Sequence, residues 1–268
     1  MKDFPWLKSY PKGIPPEINL YDYPSVIELL EDSFRKYSNL PAFENMGVQM
    51  TFGELDKLSR DFAAFLQQSL GLKKGDRIAL QMPNILQFPV AIAGALRAGL
   101  IVVNTNPLYT PREMEHQFKD SGARAIVIVA NFACNLEKII ANTSIKHVIV
   151  TQLGDMLGTV KGAIVNFVVK RVKKMVPAYN LTGALSFNDV IKRGASMKYT
   201  RPDVSLNDTA FLQYTGGTTG IAKGAQLSHG NIVAHNSMTA QWFKPYFTPG
   251  KQDIMITAIP LYHIFALT

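Results

Sequence analysis

Apolar residues recur at helical spacing in two early stretches. Ser25 precedes Ile27, Leu30 and Phe34, and Thr51 precedes Leu55, Leu58, Phe62 and Phe65. Each polar residue stands where it caps a helix whose apolar stripe turns toward a core. Thr51 with Glu54 matches the T-x-x-E capping box, and this second helix is expected to stop near Gly71. Between the two, residues 42–45 and 48–51 flank Met46-Gly47 and read as a short hairpin.

The spacing then shortens and lengthens in turn. Residues 77–82, 101–104, 125–129 and 147–150 are short apolar runs, rich in Ile and Val, and read as strands. Helices are expected between them over 84–99, over 110–122 and, briefly, over 132–141. The 110–122 helix opens on a second capping box, Thr110 with Glu113, and carries Pro111 at its first position. Buried β-branched runs separated by helices indicate parallel strands joined by right-handed crossovers. The expected fold class is α/β, with a doubly wound, mostly parallel sheet.

After a long basic segment, residues 208–214 read as a strand that runs straight into a Gly/Thr-rich loop; 225–228 resume a strand, and a helix follows from Asn231. Residues 253–268 are almost wholly apolar. A chain end inside such a run should fray into water, so the sequence reads as a piece of a longer chain. The expected organisation is an arm, helix and hairpin over 1–50, then a first α/β subdomain over 51–207. Residues 208–268 would hold the loop and the start of a second, incomplete α/β sheet layer, with a C-terminal domain absent.

Composition narrows the class without choosing a function. The 268 residues are 47% hydrophobic and 18% charged, far from a disordered composition. One cysteine, Cys134, excludes an internal disulfide and suits a reducing cytoplasm. With no His or Asp pattern around it, it reads as a packing or surface residue. The first residues lack the apolar core of a secretory signal. The longest apolar stretch, 88–103, is broken by Pro89 and Arg97 and is too interrupted to span a bilayer.

Charge is concentrated. Residues 156–193 hold seven Lys or Arg against one acid, Asp189, and so contribute +6 of the net +8. Within them, Val165, Val168, Val169, Val172 and Val176 share one face of a helical wheel, and Asn166, Lys170, Lys173 and Lys174 fall opposite. Two readings stay open: a packed helix with a solvated basic face, or a basic amphipathic helix on an anionic membrane surface through 156–176. Aromatic interleaving is poor and no nucleic-acid module matches, so nucleic acid is not expected as a partner. Self-association is not decided by the pattern.

The densest chemistry lies in residues 214–224. Gly216, Gly217 and Gly220 let a backbone bend through positive φ and bring N–H groups against phosphate oxygens. Thr215, Thr218 and Thr219 add hydroxyls, which also suit Mg²⁺. Lys223 supplies a mobile cation for β and γ phosphates, and Gly224 follows it. The spacing is not G-x-x-x-x-G-K-[ST], and no G-x-G-x-x-G occurs anywhere, which excludes a dinucleotide fingerprint.

This segment resembles the phosphate-binding signature of the adenylate-forming superfamily of acyl-CoA synthetases, luciferases and nonribosomal adenylation domains. Residues 104–114 (N-T-N-P-L-Y-T-P-R-E-M), 225–232 (A-Q-L-S-H-G-N-I) and 259–268 (I-P-L-Y-H-I-F-A-L-T) are similar to further motifs of that family. The resemblance covers essentially residues 20–268 and looks closest to bacterial long-chain fatty-acid:CoA ligases. It implies an AMP-forming acid–thiol ligase with ATP, Mg²⁺ and CoA as cofactor and co-substrates and a fatty acid as substrate. It implies that Thr215 contacts Mg²⁺ or phosphate, that Lys223 stabilises departing pyrophosphate, and that Tyr214 enters the loop. Tyr262, His263 and Phe265 would line the acyl and nucleotide pocket; His229 reads as structural.

The family's later Tyr-Gly-x-Thr-Glu motif, ribose-binding Asp and C-terminal Lys are not found here, so these residues alone are expected to make no acyl-CoA. A cytoplasmic location is implied, peripheral on the inner face of the cytoplasmic membrane if the basic segment binds lipid. The alternatives are another acid:CoA ligase or a carrier-loading adenylation domain taking medium-chain or aromatic acids. A different class would be a non-catalytic nucleotide- or membrane-binding module.

Overall fold

The computed structural model describes residues 4–215, 222–248 and 251–267. Nine strands and nine α-helices are found among them. Strands β1 (Pro41–Asn45) and β2 (Val48–Thr51) form the early hairpin, turning at Met46 and Gly47, both at positive φ. The main sheet has seven strands: β3 (Arg77–Gln81), β4 (Ile101–Asn104), β5 (Ala125–Val129), β6 (His147–Thr151), β7 (Leu185–Ser186), β8 (Thr209–Thr215) and β9 (Lys223–Ser228). They lie in the order β7-β6-β5-β3-β4-β8-β9. All neighbouring pairs are parallel except β8 with β9.

Two cores explain why these runs are strands. Side chains alternate across the sheet. Ile78, Leu80, Val102, Val127 and Ile149 enter one core. Ala79, Val103, Ile126, Ile128 and Val148 enter the other. The first core is closed by α1 (Val26–Lys36), α2 (Phe52–Gln68), α3 (Gln87–Arg97), α7 (Phe187–Gly194) and α8 (His229–Phe243). The second is closed by α4 (Pro111–Ser121) and α5 (Ala133–Glu137). The doubly wound α/β expectation is met.

Helix ends follow local chemistry. Ser25 caps α1, and full capping boxes form at Thr51/Glu54 and Thr110/Glu113. A third box, Ser228 with Asn231, opens α8. The helix expected over 84–99 begins only at Gln87, because residues 82–86 turn over the end of β3 and Pro89 falls in the first turn.

Two expectations are corrected. The strands after residue 208 were expected to begin a second sheet layer, but β8 pairs Phe211 and Leu212 with Val102 and Val103 and so extends the first sheet. The apolar fit of β8 to β4 decides this. The basic segment is also not one amphipathic helix. α6 (Thr159–Phe167) passes into a π-turn over Val168–Val172, and Lys174 adopts a left-handed φ of 52°. Val176 therefore lies off the helix.

Asn166, expected on the polar face, points inward. Its Oδ1 accepts the Gly154 N–H at 2.8 Å and its Nδ2 donates to Asp155 at 3.0 Å. The helix can come this close because Gly154 and Gly162 meet backbone to backbone, where a Cβ on either would sit within 2.5 Å of the other's carbonyl oxygen. Residues 251–260 join no strand or helix among the described residues, and α9 (Ile264–Leu267) follows.

Candidate functional site

The site is built on the β8–β9 hairpin. β8 is apolar and almost wholly buried until Thr215, where the chain emerges into solvent. Antiparallel register puts Thr215 opposite Lys223 and Tyr214 opposite Gly224. Direct cross-strand partners project to the same face. The Thr215 and Lys223 side chains therefore leave the same face at the exposed end of the hairpin. Among the described residues Lys223 makes no ion pair with a carboxylate. Gly216, Gly217, Thr218, Thr219 and Gly220 lie outside the described residues.

The glycine at 224 has a local reason. A Cβ there would meet Tyr214 Cζ at 2.9 Å, so the Tyr214 ring lies directly against the β9 backbone. The Tyr214 hydroxyl donates to Asp120 Oδ2 at 2.5 Å. Burial first, and the Asp120 carboxylate second, push the phenol above its ordinary pKa, so it stays protonated as a donor. A cavity of about 170 Å³ lies beside this pair, lined by Arg77, Ile101, Asp120, Ser121 and Gln226 among others.

The carboxyl ends of the parallel strands hold the second part. The chain leaves β3 for β4 on one side and returns to β5 on the other, so the order reverses there, as it does at ligand crevices of open α/β sheets. Residues 257–262 sit over this point. Asn84 donates to the carbonyls of Thr257 and Ile259 and accepts the Leu261 N–H at 2.7 Å. Buried Gln213 accepts from Asn104 Nδ2 at 3.1 Å and donates to the Tyr262 carbonyl at 3.2 Å.

Of the residues expected to line a pocket, Tyr262 is thus tied to β8, one residue from Tyr214. Its ring lies 5.7 Å from that of His263. His263 and Phe265 are exposed, Phe265 at 73%. The described residues bring Tyr262 against β8 and leave His263 and Phe265 in solvent.

His229 is structural, as expected, though it serves another helix than its own. It is 2% exposed, and its Nδ1 accepts the Val26 N–H at 3.2 Å, satisfying a donor at the start of α1. Burial lowers its pKa to about 4. Cys134 is half-buried on α5, with Asn135 the polar group near its sulfur.

Sequence reasoning missed the residues that hold the hairpin from outside. Asp120 and His116 of α4 and Gln213 of β8 reach across 94, 106 and 49 positions to their partners. Nothing in a local window marks such contacts.

No group of three or more His, Cys, Asp or Glu that could hold a metal occurs among the described residues. The Thr215 hydroxyl fits a cation carried mainly by phosphate oxygens, which is the usual way Mg²⁺ meets a nucleotide site.

The β8–β9 hairpin thus stands at one edge of a doubly wound α/β sheet. The family model described as AMP-binding enzyme matches residues 30–268, and the chain belongs to that family. It is 57% identical over 263 residues to the long-chain-fatty-acid–CoA ligase of Salmonella typhimurium, a match covering 98% of this chain and 47% of that protein.

The chain therefore spans about half the length of the curated relatives it matches. Among solved structures, a long-chain-fatty-acid–CoA ligase from Archaeoglobus fulgidus aligns with a TM-score of 0.72 at 22% identity, covering 96% of this chain and 46% of that one. The apo structure of MbtA from Mycobacterium smegmatis aligns at 0.75 and 23%, covering 95% and 44%. These two likenesses bear on the fold alone.

Proposed function

We propose that these residues form the phosphate-binding part of an AMP-forming, ATP-dependent long-chain fatty-acid:CoA ligase. The observation that carries this reading is the Thr215–Lys223 pair at the open end of the β8–β9 hairpin, in a chain 57% identical to a long-chain-fatty-acid–CoA ligase. In the reaction a carboxylate oxygen attacks the α-phosphorus of ATP and the bond to pyrophosphate breaks. The CoA thiol, losing its proton, then attacks the acyl carbonyl and AMP leaves. Negative charge grows on the leaving pyrophosphate, and a preset ammonium and hydroxyl stabilise it without reorganising. Mg²⁺, held by the phosphates and the Thr215 hydroxyl, would supply further charge neutralisation.

The test uses a chimera in which residues 1–268 replace the matching region of the Salmonella typhimurium ligase. Lys223→Ala and Thr215→Ala should each lower pyrophosphate release by about 10²-fold, as for loss of one preorganised donor. Undiminished release from Lys223→Ala would overturn the assignment. The 268-residue chain alone, given ATP, Mg²⁺, oleate and CoA, should form no acyl-CoA.

A second reading concerns α6 and its π-turn, and exposure supports it. Val160, Ile164 and Phe167 form one outward ridge, exposed by 73%, 58% and 61%. Around it stand Lys161, Lys170, Arg171, Lys173 and Lys174, all exposed. An apolar ridge amid cations suits an anionic bilayer surface, each cation adding about 1 kcal/mol. The inserted residues are then Val160, Ile164 and Phe167, whereas Val165, Val168 and Val169 turn partly inward. No helix among the described residues is long and apolar enough to cross a membrane. Sedimentation of the chain with phosphatidylserine vesicles should exceed that with phosphatidylcholine and fall with salt. Equal partitioning into both, or binding unmoved by Phe167→Ser, would remove this reading.

A further inference from the structure

We infer that α4 is a brace that sets the spacing between the two stems of the phosphate-loop hairpin, with Asp120 and His116 as positioning residues for ATP. The inference rests on the phosphate-loop reading above and adds to it residues remote in sequence from the loop.

Three side chains on one side of α4 each hold a different strand. Gln117 Nε2 donates to the Asn104 carbonyl at the end of β4, at 3.0 Å. Asp120 accepts the Tyr214 hydroxyl of β8 at 2.5 Å. His116 Nε2 lies 2.9 Å from the carbonyl of Ala222, the residue that leads into β9. A carbonyl only accepts, so His116 must hold its proton on Nε2. The two loop stems are thereby fixed at Tyr214 and Ala222, immediately beside the Thr215–Lys223 pair.

The brace is itself stiff. A capping box fixes the start of α4, Gly122 closes its end at φ 62°, and Met114 and Phe118 are fully buried beneath it. The Tyr214 ring also blocks Gly224 from behind. Movement of Asp120 would therefore shift Tyr214 and, through it, the backbone opposite. A misplacement of about 1 Å in a charged binding group costs orders of magnitude in catalysis. That sensitivity is why a helix with no phosphate contact of its own governs ATP use.

Two measurements test this. Amide hydrogen exchange on the 268-residue chain should quicken at residues 211–215 and 222–226 in Asp120→Ala and His116→Ala, with β5 and β6 unchanged. In the chimera, the same variants should raise KM for ATP by about tenfold, the upper worth of one ordinary hydrogen bond. KM for the fatty acid should stay the same. Asp120→Asn, which keeps an acceptor, and His116→Gln, which keeps a donor, should restore most of the loss. Tyr214→Phe removes one oxygen and leaves the ring in place. It should match Asp120→Ala, and the double variant should be no worse than either; if Asp120→Ala does not fold, Tyr214→Phe alone carries the test.

Unchanged exchange at both stems overturns the inference. So does a fall in kcat at constant KM for ATP, which marks a loss of folded enzyme only. Lys223→Ala in parallel separates the two readings. If Lys223→Ala is crippled and Asp120→Ala normal, the brace fails and the phosphate loop stands; if Lys223→Ala is normal, the loop reading fails first.

Discussion

Helices α3 and α6 are both apolar and both follow a strand of the same sheet, yet they end in opposite environments. Every residue of α3 is buried, including Arg97 at 1% exposure. Only Gly162 of α6 is buried, and its largest side chains face solvent. Position explains the contrast. α3 crosses between central strands β3 and β4 and is covered by α1 and α2; Gly94 lets it approach so closely that a Cβ there would meet Phe62 at 2.7 Å and the Ser59 carbonyl at 2.8 Å. α6 lies between β6 and the two-residue edge strand β7, where no second helix layer covers it among the described residues. Apolar content fixes what a helix can bury; its place in the sheet decides what it does bury.

The strongest test of the contrast removes the one charge in α3. Arg97 donates to the Asp56 carbonyl at 2.6 Å and to Ser59 Oγ at 3.0 Å, pairs with Asp56 and Glu31, and lies over the Phe34 ring at 5.2 Å. It ties α1 and α2 to α3. Arg97→Ala should destabilise by about 3 kcal/mol. That value takes the low end because Asp56 and Glu31 keep some water contact, at 34% and 24% exposure. Urea denaturation measures it, and a loss below about 1 kcal/mol would mean the buried guanidinium does little there.

His229 extends the same test by pH. It is buried in the same core layer, with Asp208 and Glu28 drawing its pKa up and Lys74 drawing it down, all weaker than burial. Its folded pKa of about 4 lies below the unfolded value of 6.5. The unfolded chain therefore takes up the proton first, so stability is whole above pH 6.5 and falls as pH drops toward 4. Between pH 7 and 5 the loss should be about 2 kcal/mol. His229→Gln, whose amide oxygen still accepts the Val26 N–H, should flatten this part of the stability–pH curve. An equal slope in both proteins would assign the loss to other groups.

These residues also show how far the sequence was legible. Strands β3 to β6, both early capping boxes and the strand entering the loop were readable, since each depends on neighbours within a few positions. Asn166 was misplaced because wheel geometry assigns polar residues outward; here a Gly154–Gly162 contact turns one inward to a half-buried carboxylate. β8 and β9 were assigned to a new sheet because spacing reports that a strand exists and not where it pairs. At the site, the strands on either side of the loop were legible from composition and order. Asp120 and His116 were not, because their partners Tyr214 and Ala222 are brought near only by the pairing of β8 with β4 and of β9 with β8.

The smallest expected effect sharpens the comparison most. If α6 shows its ridge to solvent, Ile164→Ser and Phe167→Ser take no apolar area out of a core, and stability should move by no more than about 0.5 kcal/mol. A buried leucine-sized truncation in α3, such as Leu96→Ala, should cost about 2–5 kcal/mol under the same conditions. Serine loses a little helix propensity against isoleucine or phenylalanine, by a few tenths of a kcal/mol at most, so a small loss is tolerated. A loss near that of Leu96→Ala would show the ridge packed against another part of the protein and end its candidacy as a lipid contact. A neutral result with reduced vesicle binding would instead show these side chains retained for a partner outside the fold.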